Sequence, residues 1–220
     1  MTTYTVDKRF HTEVKRSSRV LEIAEAFGLG LDDKEFVVFD NQAIEVKQGD
    51  IVYITGQSGG GKSVLLRELA VMMAAEGKSV VNLDDIPFKD CPLIDQIGKD
   101  TNDAIRLMGM AGLNDAYLFI RKPAELSDGQ RYRFRLAKCI ESDAKVWVAD
   151  EFLAVLDRDT AKVIAFNLQK VARSRAATLI VATTHTDMVA DLAPTVFVDK
   201  RYHEKIHLVY SPEGYKSCPK

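Results

Sequence analysis

The sequence predicts an α/β fold, a mostly parallel sheet flanked by helices, on three observations. From Ile51 onward, short apolar runs alternate with stretches of helical spacing. A parallel neighbour can be reached only through a long crossover, usually a helix, so this alternation implies parallel pairing. A glycine-rich segment, Gly56 to Ser63, sits where the first of these runs meets the first such helix. Finally, 220 residues suit one domain with an insert, and 46% apolar with 28% charged content excludes a disordered or collagen-like chain.

The elements follow in order. Residues 1–20 are polar and carry Lys8, Arg9, Lys15, Arg16 and Arg19, which read as a solvated face or a contact surface. Leu21 to Phe27 is a short apolar stretch closed by Gly28-Leu29-Gly30. Phe36–Phe39 and Ala43–Val46, separated by Asp40-Asn41-Gln42, read as a strand pair, and Ile51–Thr55 as a buried strand. Helices are expected over Val64–Ala75, Asn102–Met110, Asp128–Ile140 and Thr160–Arg173. Strands are expected over Ser79–Leu83, Lys145–Ala149, Thr178–Ala182 and Thr195–Val198. The whole chain, 1–220, is read as one domain, with a mostly helical insert over residues 88–143.

Several function classes drop out. Lys+Arg 30 against Asp+Glu 32 leaves a net charge of −2, so no global field draws the chain to nucleic acid or anionic lipid. No apolar run is long enough to span a bilayer, and the opening residues have no signal-like apolar region. Cys91, Cys139 and Cys218 lie far apart without a CxxC, which argues against a disulfide framework or a zinc cluster. A cytoplasmic protein without membrane insertion is expected.

Gly56-Gln57-Ser58-Gly59-Gly60-Gly61-Lys62-Ser63 fits the pattern GxxxxGK[ST] between a strand and a helix. Its glycines let backbone N–H groups converge on an anion without Cβ obstruction, and the helix N-terminus adds partial positive charge. Lys62 is then placed to neutralise β- and γ-phosphate oxygens and Ser63 to ligate Mg²⁺. A glycine-rich turn with an exposed lysine would not require that flanking strand and helix. Val146 to Ala149 is a buried strand ending in Asp150 and Glu151. At the C-terminal edge of a parallel sheet Asp150 is suited to orient Mg²⁺, and Glu151 to act as general base on the attacking water.

Leu126-Ser127-Asp128-Gly129-Gln130 opens the next helix as a capping box, Ser127 with Gln130. This segment also resembles the LSGGQ signature of the ABC (ATP-binding cassette) ATPases. Ala154-Val155-Leu156-Asp157 resembles that family's D-loop, and Val181 to His185 its strand ending in the switch histidine. The resemblance spans roughly residues 36–200. It implies a P-loop NTPase fold of the ABC type, with N-terminal antiparallel strands and a short helical subdomain. It implies also a head-to-tail homodimer with two ATP molecules at the interface. Each ATP would be held by the phosphate loop of one protomer and by Ser127, Gly129 and Gln130 of the other. Glu151 would polarise the water, His185 would hydrogen-bond the γ-phosphate, and Asp157 would couple the two sites.

The sequence departs from the family pattern at four points. Asp128 replaces a signature glycine, which would repel phosphate if its side chain pointed inward. Leu126 follows Gly56 by only 70 positions, short for a transporter subunit. Gln96 is the best candidate for the Q-loop metal contact, a surface residue being the alternative. The adenine-stacking aromatic is Phe27 or Phe36, either of which could instead be core.

His203-Glu204-Lys205-Ile206-His207 satisfies HExxH, but its surroundings alternate as a strand. At about 3.3 Å per residue the two histidines would stand roughly 13 Å apart, too far to share one ion.

The reading that follows is a soluble ATPase acting on a partner protein or other macromolecule. It looks closer to stand-alone ABC ATPases, such as those fused to or acting beside GNAT-type acetyltransferases, than to importer subunits. The alternatives are the ATP subunit of an ABC transporter and a DNA-associated clamp. For the clamp, Arg131, Arg135 and Lys138 offer a basic strip that ordinary helix surface would equally explain.

Overall fold

The computed structural model describes residues 1–32, 34–202, 204–211, 213 and 214. Its main sheet has six strands: β3 (Ile51–Thr55), β4 (Val80–Asn82), β5 (Val146–Ala149), β6 (Thr178–Ala182), β7 (Val196–Asp199) and β8 (His207–Tyr210). They stand in the order β4-β5-β6-β3-β7-β8, the first five parallel and β8 antiparallel to β7. Each parallel strand therefore ends at one common edge, which receives Asp150 after β5 and the phosphate loop after β3.

Period-two alternation splits the strands between two cores. On one face Val52, Ile54, Val148 and Ile180 meet Leu65, Leu66, Leu69 and Met73 of α2 (Lys62–Ala75). On the other, Tyr53, Trp147, Leu179 and Phe197 meet a layer formed by α3 (Thr101–Met110), α5 (Asp128–Glu141) and α6 (Arg158–Ser174). Trp147 is buried there, and its indole N–H has no hydrogen-bond partner among the described residues. Two single-turn helices, α4 (Ala116–Phe119) and α7 (Val189–Leu192), also occur among the described residues.

A separate two-stranded sheet, β1 (Thr2–Thr12) with β2 (Lys34–Val46), covers the outer side of α2 through Tyr4, Val6, Phe39 and Ile44. Two expectations are corrected here. Residues 36–39 and 43–46 do not pair with each other: they form one continuous strand whose partner is β1, in register from Thr2↔Val46 to Thr12↔Lys34. The turn-like Asp40-Asn41 is absorbed as a bulge opposite Asp7, with Asn41 at φ +46°. The polar N-terminus is likewise a strand, not simply a solvated face. Lys8 pairs with Glu68 at 2.7 Å, while Lys15, Arg16 and Arg19 are exposed. The connection carries α1 (Ser18–Phe27), started by Ser17, whose hydroxyl accepts from Val20 N–H, and stopped by Gly28 at φ +63°.

The helices expected around residues 64–75, 102–110, 128–140 and 160–173 form within one to two residues of those limits. No helix among the described residues is long and apolar enough to cross a membrane. His203 and Cys218 lie outside the described residues; Glu204 to Ile206 are not helical, and His207 opens β8.

Candidate functional site

The phosphate loop is shaped by what presses on its back. A Cβ on Gly56, at φ +133°, would lie 1.9 Å from the carbonyl oxygen of Lys200; one on Gly61, at φ +98°, would lie 2.6 Å from Val38 Cγ1. The hairpin between β7 and β8 and strand β2 thus leave space only for glycine, and Lys200 N–H donates to Thr55 C=O at 2.9 Å. Gly61 is also the N-cap of α2 and supplies no side chain, so the first turn of that helix is free to receive an anion. Lys62 is buried and curls back over the loop, its Nζ donating to the carbonyls of Gly56 at 3.1 Å and Gln57 at 2.9 Å.

Ser63 and Asp150 come together from two elements. The Ser63 hydroxyl donates to Asp150 Oδ1 at 3.0 Å, and Arg67 stands 3.9 Å from Oδ2. A hydroxyl and a carboxylate at this spacing are hard oxygen donors of the kind Mg²⁺ prefers. Glu151, the next residue, is exposed in a left-handed conformation at φ +44°, and its N–H donates to Asp150 Oδ1 at 3.1 Å.

His185 is half-buried past the end of β6, its N–H donating to Thr183 Oγ1 at 3.2 Å and its carbonyl accepting from the Tyr53 hydroxyl at 2.6 Å. Its neighbours Thr184 and Thr186 line one cleft of about 800 Å³ with Gly56, Gln57, Ser58 and Arg201. Beyond it, Arg158 Nε donates to Asp187 Oδ2 at 2.9 Å, and this guanidinium holds the Asp187 carboxyl below the usual carboxylate range.

The capping box at the start of α5 is complete. Gln130 N–H donates to Ser127 Oγ at 3.3 Å, and Ser127 N–H donates to Gln130 Oε1 at 2.9 Å. Asp128 is ion-paired with Arg131 one turn along the helix, so its charge is neutralised locally. Gly129 packs on the turn after Glu151: a Cβ there would lie 2.9 Å from Leu156 Cδ2. Asp157 N-caps α6 by accepting from Thr160 N–H at 2.9 Å. The hydroxyl of Thr160, and then that backbone bond, hold its carboxyl below the ordinary range.

Gln96 is placed differently from its expected role. Its amide closes its own segment, Oε1 accepting from Lys89 N–H at 2.9 Å and Nε2 donating to the carbonyls of Lys89 at 3.0 Å and Cys91 at 2.6 Å. It is buried in that clamp and is not directed to a cation beside Ser63. The two aromatic candidates also separate. Phe27 is 72% exposed at the end of α1, whereas Phe36 lies on the strand that abuts Gly61, its ring 6.0 Å from that of Tyr202. The basic strip is spent internally: Arg131 donates to Leu126 C=O at 2.6 Å, Arg135 lies over the Phe88 ring, and Lys138 donates to Gln96 C=O at 2.8 Å. All three cations thus have contacts within the chain.

Sequence reasoning missed Asp84, which follows β4 at the same sheet edge as Asp150 and lines one groove with it. Burial raises its pKa, the carboxylates of Asp150 and Asp85 add to that, and Arg135 opposes it. The signal was available: an acid just past a parallel strand stands where such sheets bind ligands.

No family model matches the chain. It is 30% identical over 183 residues to the aliphatic sulfonates import ATP-binding protein SsuB 2 of Rhodococcus jostii (strain RHA1), covering 77% of this chain and 74% of that protein. It is 26% identical over 220 residues to the methionine import ATP-binding protein MetN of Clostridium tetani (strain Massachusetts / E88), covering 80% of this chain and 68% of that one. Across the MetN relatives of several bacteria the chain spans between 54% and 68% of their length. The fold is similar to that of the ATP-binding cassette MJ0796 in a dimeric post-hydrolysis state bound to ADP and Pi, with TM-score 0.66 at 15% identity over 94% of this chain and 98% of that one. It is similar also to cbiO1 from Clostridium perfringens, part of the ABC transporter complex cbiONQ, with TM-score 0.58 at 18% identity over 75% and 80% of the two chains. A phosphate loop, a signature helix, an acidic strand end and a histidine just past a strand, met in that order on this fold, together with a relative 30% identical and covered over most of its length, identify the chain as a member of the ATP-binding cassette family of P-loop ATPases.

Proposed function

We propose that two copies of this chain bind two Mg-ATP molecules head to tail and hydrolyse them, closing on ATP and opening after turnover. The meeting of Ser63 with Asp150 at 3.0 Å beside the uncapped start of α2 carries this reading, because it joins a cation's oxygen donors to an anion's amide donors. Gly56, Gln57, Ser58, Gly59, Gly60 and Gly61 line the phosphates, and Lys62 leaves the loop carbonyls to neutralise them. Ser63 and Asp150 hold Mg²⁺, which when bound offsets charge on the phosphate oxygens. Glu151 takes the proton of the attacking water and His185 contacts the γ-phosphate. Ser127, Gly129 and Gln130 reach the nucleotide of the facing copy, and Asp157 contributes to communication between the two sites. Phe36, beside the loop, is better placed than Phe27 to stack on the base.

The work driven by this cycle is read as acting on a partner other than a membrane permease, in the cytoplasm. The short span from Gly56 to Leu126 supports it, the segment over 88–143 being read as a shortened helical subdomain. A second reading, the ATP subunit of an importer, is favoured by the import proteins among the relatives. It is favoured also by a groove of about 790 Å³ lined by Leu66, Ala70, Val71, Ile86 and Pro87, large enough to receive a partner's helix end. Glu151→Gln tests the mechanism: ATP binding stays intact, turnover falls by at least about a hundredfold, and a dimer accumulates in light scattering. Wild-type turnover in that variant would overturn the assignment of Glu151. Pull-down with the trapped form then separates the readings, a permease selecting the importer and a soluble protein the stand-alone ATPase.

A further inference from the structure

The turn after Asp150 adopts a backbone conformation that its own residues disfavour. Glu151 at φ +44° and Leu153 at φ +57° both occupy the left-handed region, where an L side chain crowds the following carbonyl. Neither is glycine, so contacts from outside the turn must hold it. The backbone N–H groups divide between bonds within the turn and bonds that reach outside it. Glu151 donates to Asp150 Oδ1 at 3.1 Å, Phe152 to the carbonyl of Ala182 at the end of β6 at 2.9 Å, and Ala154 to Glu151 C=O at 3.0 Å. Leu153 donates instead to the hydroxyl of Tyr132 on α5, at 3.2 Å.

Tyr132 is buried, and burial raises its pKa, so the phenol remains a neutral hydroxyl at ordinary pH. Nearer the start of α5, Gly129 packs against Leu156 of the same turn. The helix that presents Ser127 and Gln130 is therefore fastened to the turn that bears Glu151 at two points.

We propose that Tyr132 is a positioning residue for Glu151: its hydroxyl holds the Leu153 amide, fixes the left-handed turn, and so ties the aim of the Glu151 carboxylate to the position of α5. The proposal rests on the reading of Glu151 as the group that activates water. A shift of α5 on meeting the facing copy's nucleotide is passed through this bond to that carboxylate.

Tyr132→Phe removes one oxygen and keeps the ring. The expected result is a kcat at least tenfold lower, with the Kd for ATP by calorimetry within twofold of wild type. In a Glu151→Gln background the same change lowers the residual single-turnover rate no further, because the hydroxyl acts only through the carboxylate. A wild-type kcat for Tyr132→Phe, or an equal rate factor in both backgrounds, overturns the proposal while leaving Glu151 in its role. Wild-type turnover in Glu151→Gln alone overturns that role and the proposal together. If Tyr132→Phe does not fold, 3,5-difluorotyrosine at position 132 keeps the shape and weakens the oxygen as an acceptor. A kcat at least twofold lower is then expected, and an unchanged kcat overturns the proposal.

Discussion

Replacing Gly56 and Gly59 separately by alanine isolates the effect of the β7–β8 hairpin on the phosphate loop. Both glycines have positive φ, +133° and +74°, so each alanine incurs a backbone penalty on the order of 1–2 kcal/mol. Only Gly56 has a neighbour in the way. Its new Cβ would stand 1.9 Å from the Lys200 carbonyl oxygen, whereas nothing lies within 4 Å of a Cβ at Gly59. Relieving that collision requires the loop or the hairpin to move by about an ångström, against the Lys200 N–H bond to Thr55 C=O. Overpacking of this kind costs about 1–3 kcal/mol beyond the shared backbone penalty. For a chain of this size, 1 kcal/mol shifts Tm by roughly 2–4 °C. Gly56→Ala should therefore melt about 2–12 °C below Gly59→Ala, by calorimetry without nucleotide. Equal midpoints, or a lower one for Gly59→Ala, would refute the claim that the hairpin sets the shape of the loop.

Two further outcomes follow from the side chains that pin surrounding segments. Gln96→Leu removes three hydrogen bonds to the Lys89 and Cys91 backbone and should cost about 1–3 kcal/mol, seen as a lower Tm with ATP affinity unchanged. A lost Mg²⁺ requirement with Tm intact would return Gln96 to the metal site. The Arg158 guanidinium depresses the pKa of Asp187, so this pair adds stability above the ordinary carboxylate range that is lost as pH falls through and below it. Arg158→Ala should flatten the acid limb of Tm against pH below about pH 4; an unchanged limb would show that the pair contributes nothing.

The central strands and the phosphate loop were legible because burial on both faces writes continuous apolar runs, as in Ile51–Thr55 and Val146–Ala149. β1 was not, because only Tyr4 and Val6 face inward before the alternation dissolves into Asp7, Lys8 and Arg9 on an edge. Asp40-Asn41-Gln42 has the composition of a hairpin turn, and only the presence of a long partner strand decides that it is a bulge. Ser63 and Asp150 could be paired from their motifs, since one lies in the opening turn of a helix and the other just past a strand at the same sheet edge. Gln96 could not be placed, because a glutamine after a proline-bounded segment reads alike whether it clamps that segment or ligates an ion. The spacing of Arg131, Arg135 and Lys138 put them on one face of a helix. Spacing alone is silent on whether that face meets water or Phe88.

Trp147 gives the site a built-in optical probe. It is the sole tryptophan of the chain, enclosed at 1% exposure two residues before Ala149 closes β5 and Asp150 begins the acidic edge. An indole so shielded should emit in the blue, and its unpaired N–H makes it sensitive to local field changes. Nucleotide-induced rearrangement at that edge can therefore be followed by intrinsic fluorescence in stopped-flow mixing, without a label and without a competing signal from another indole.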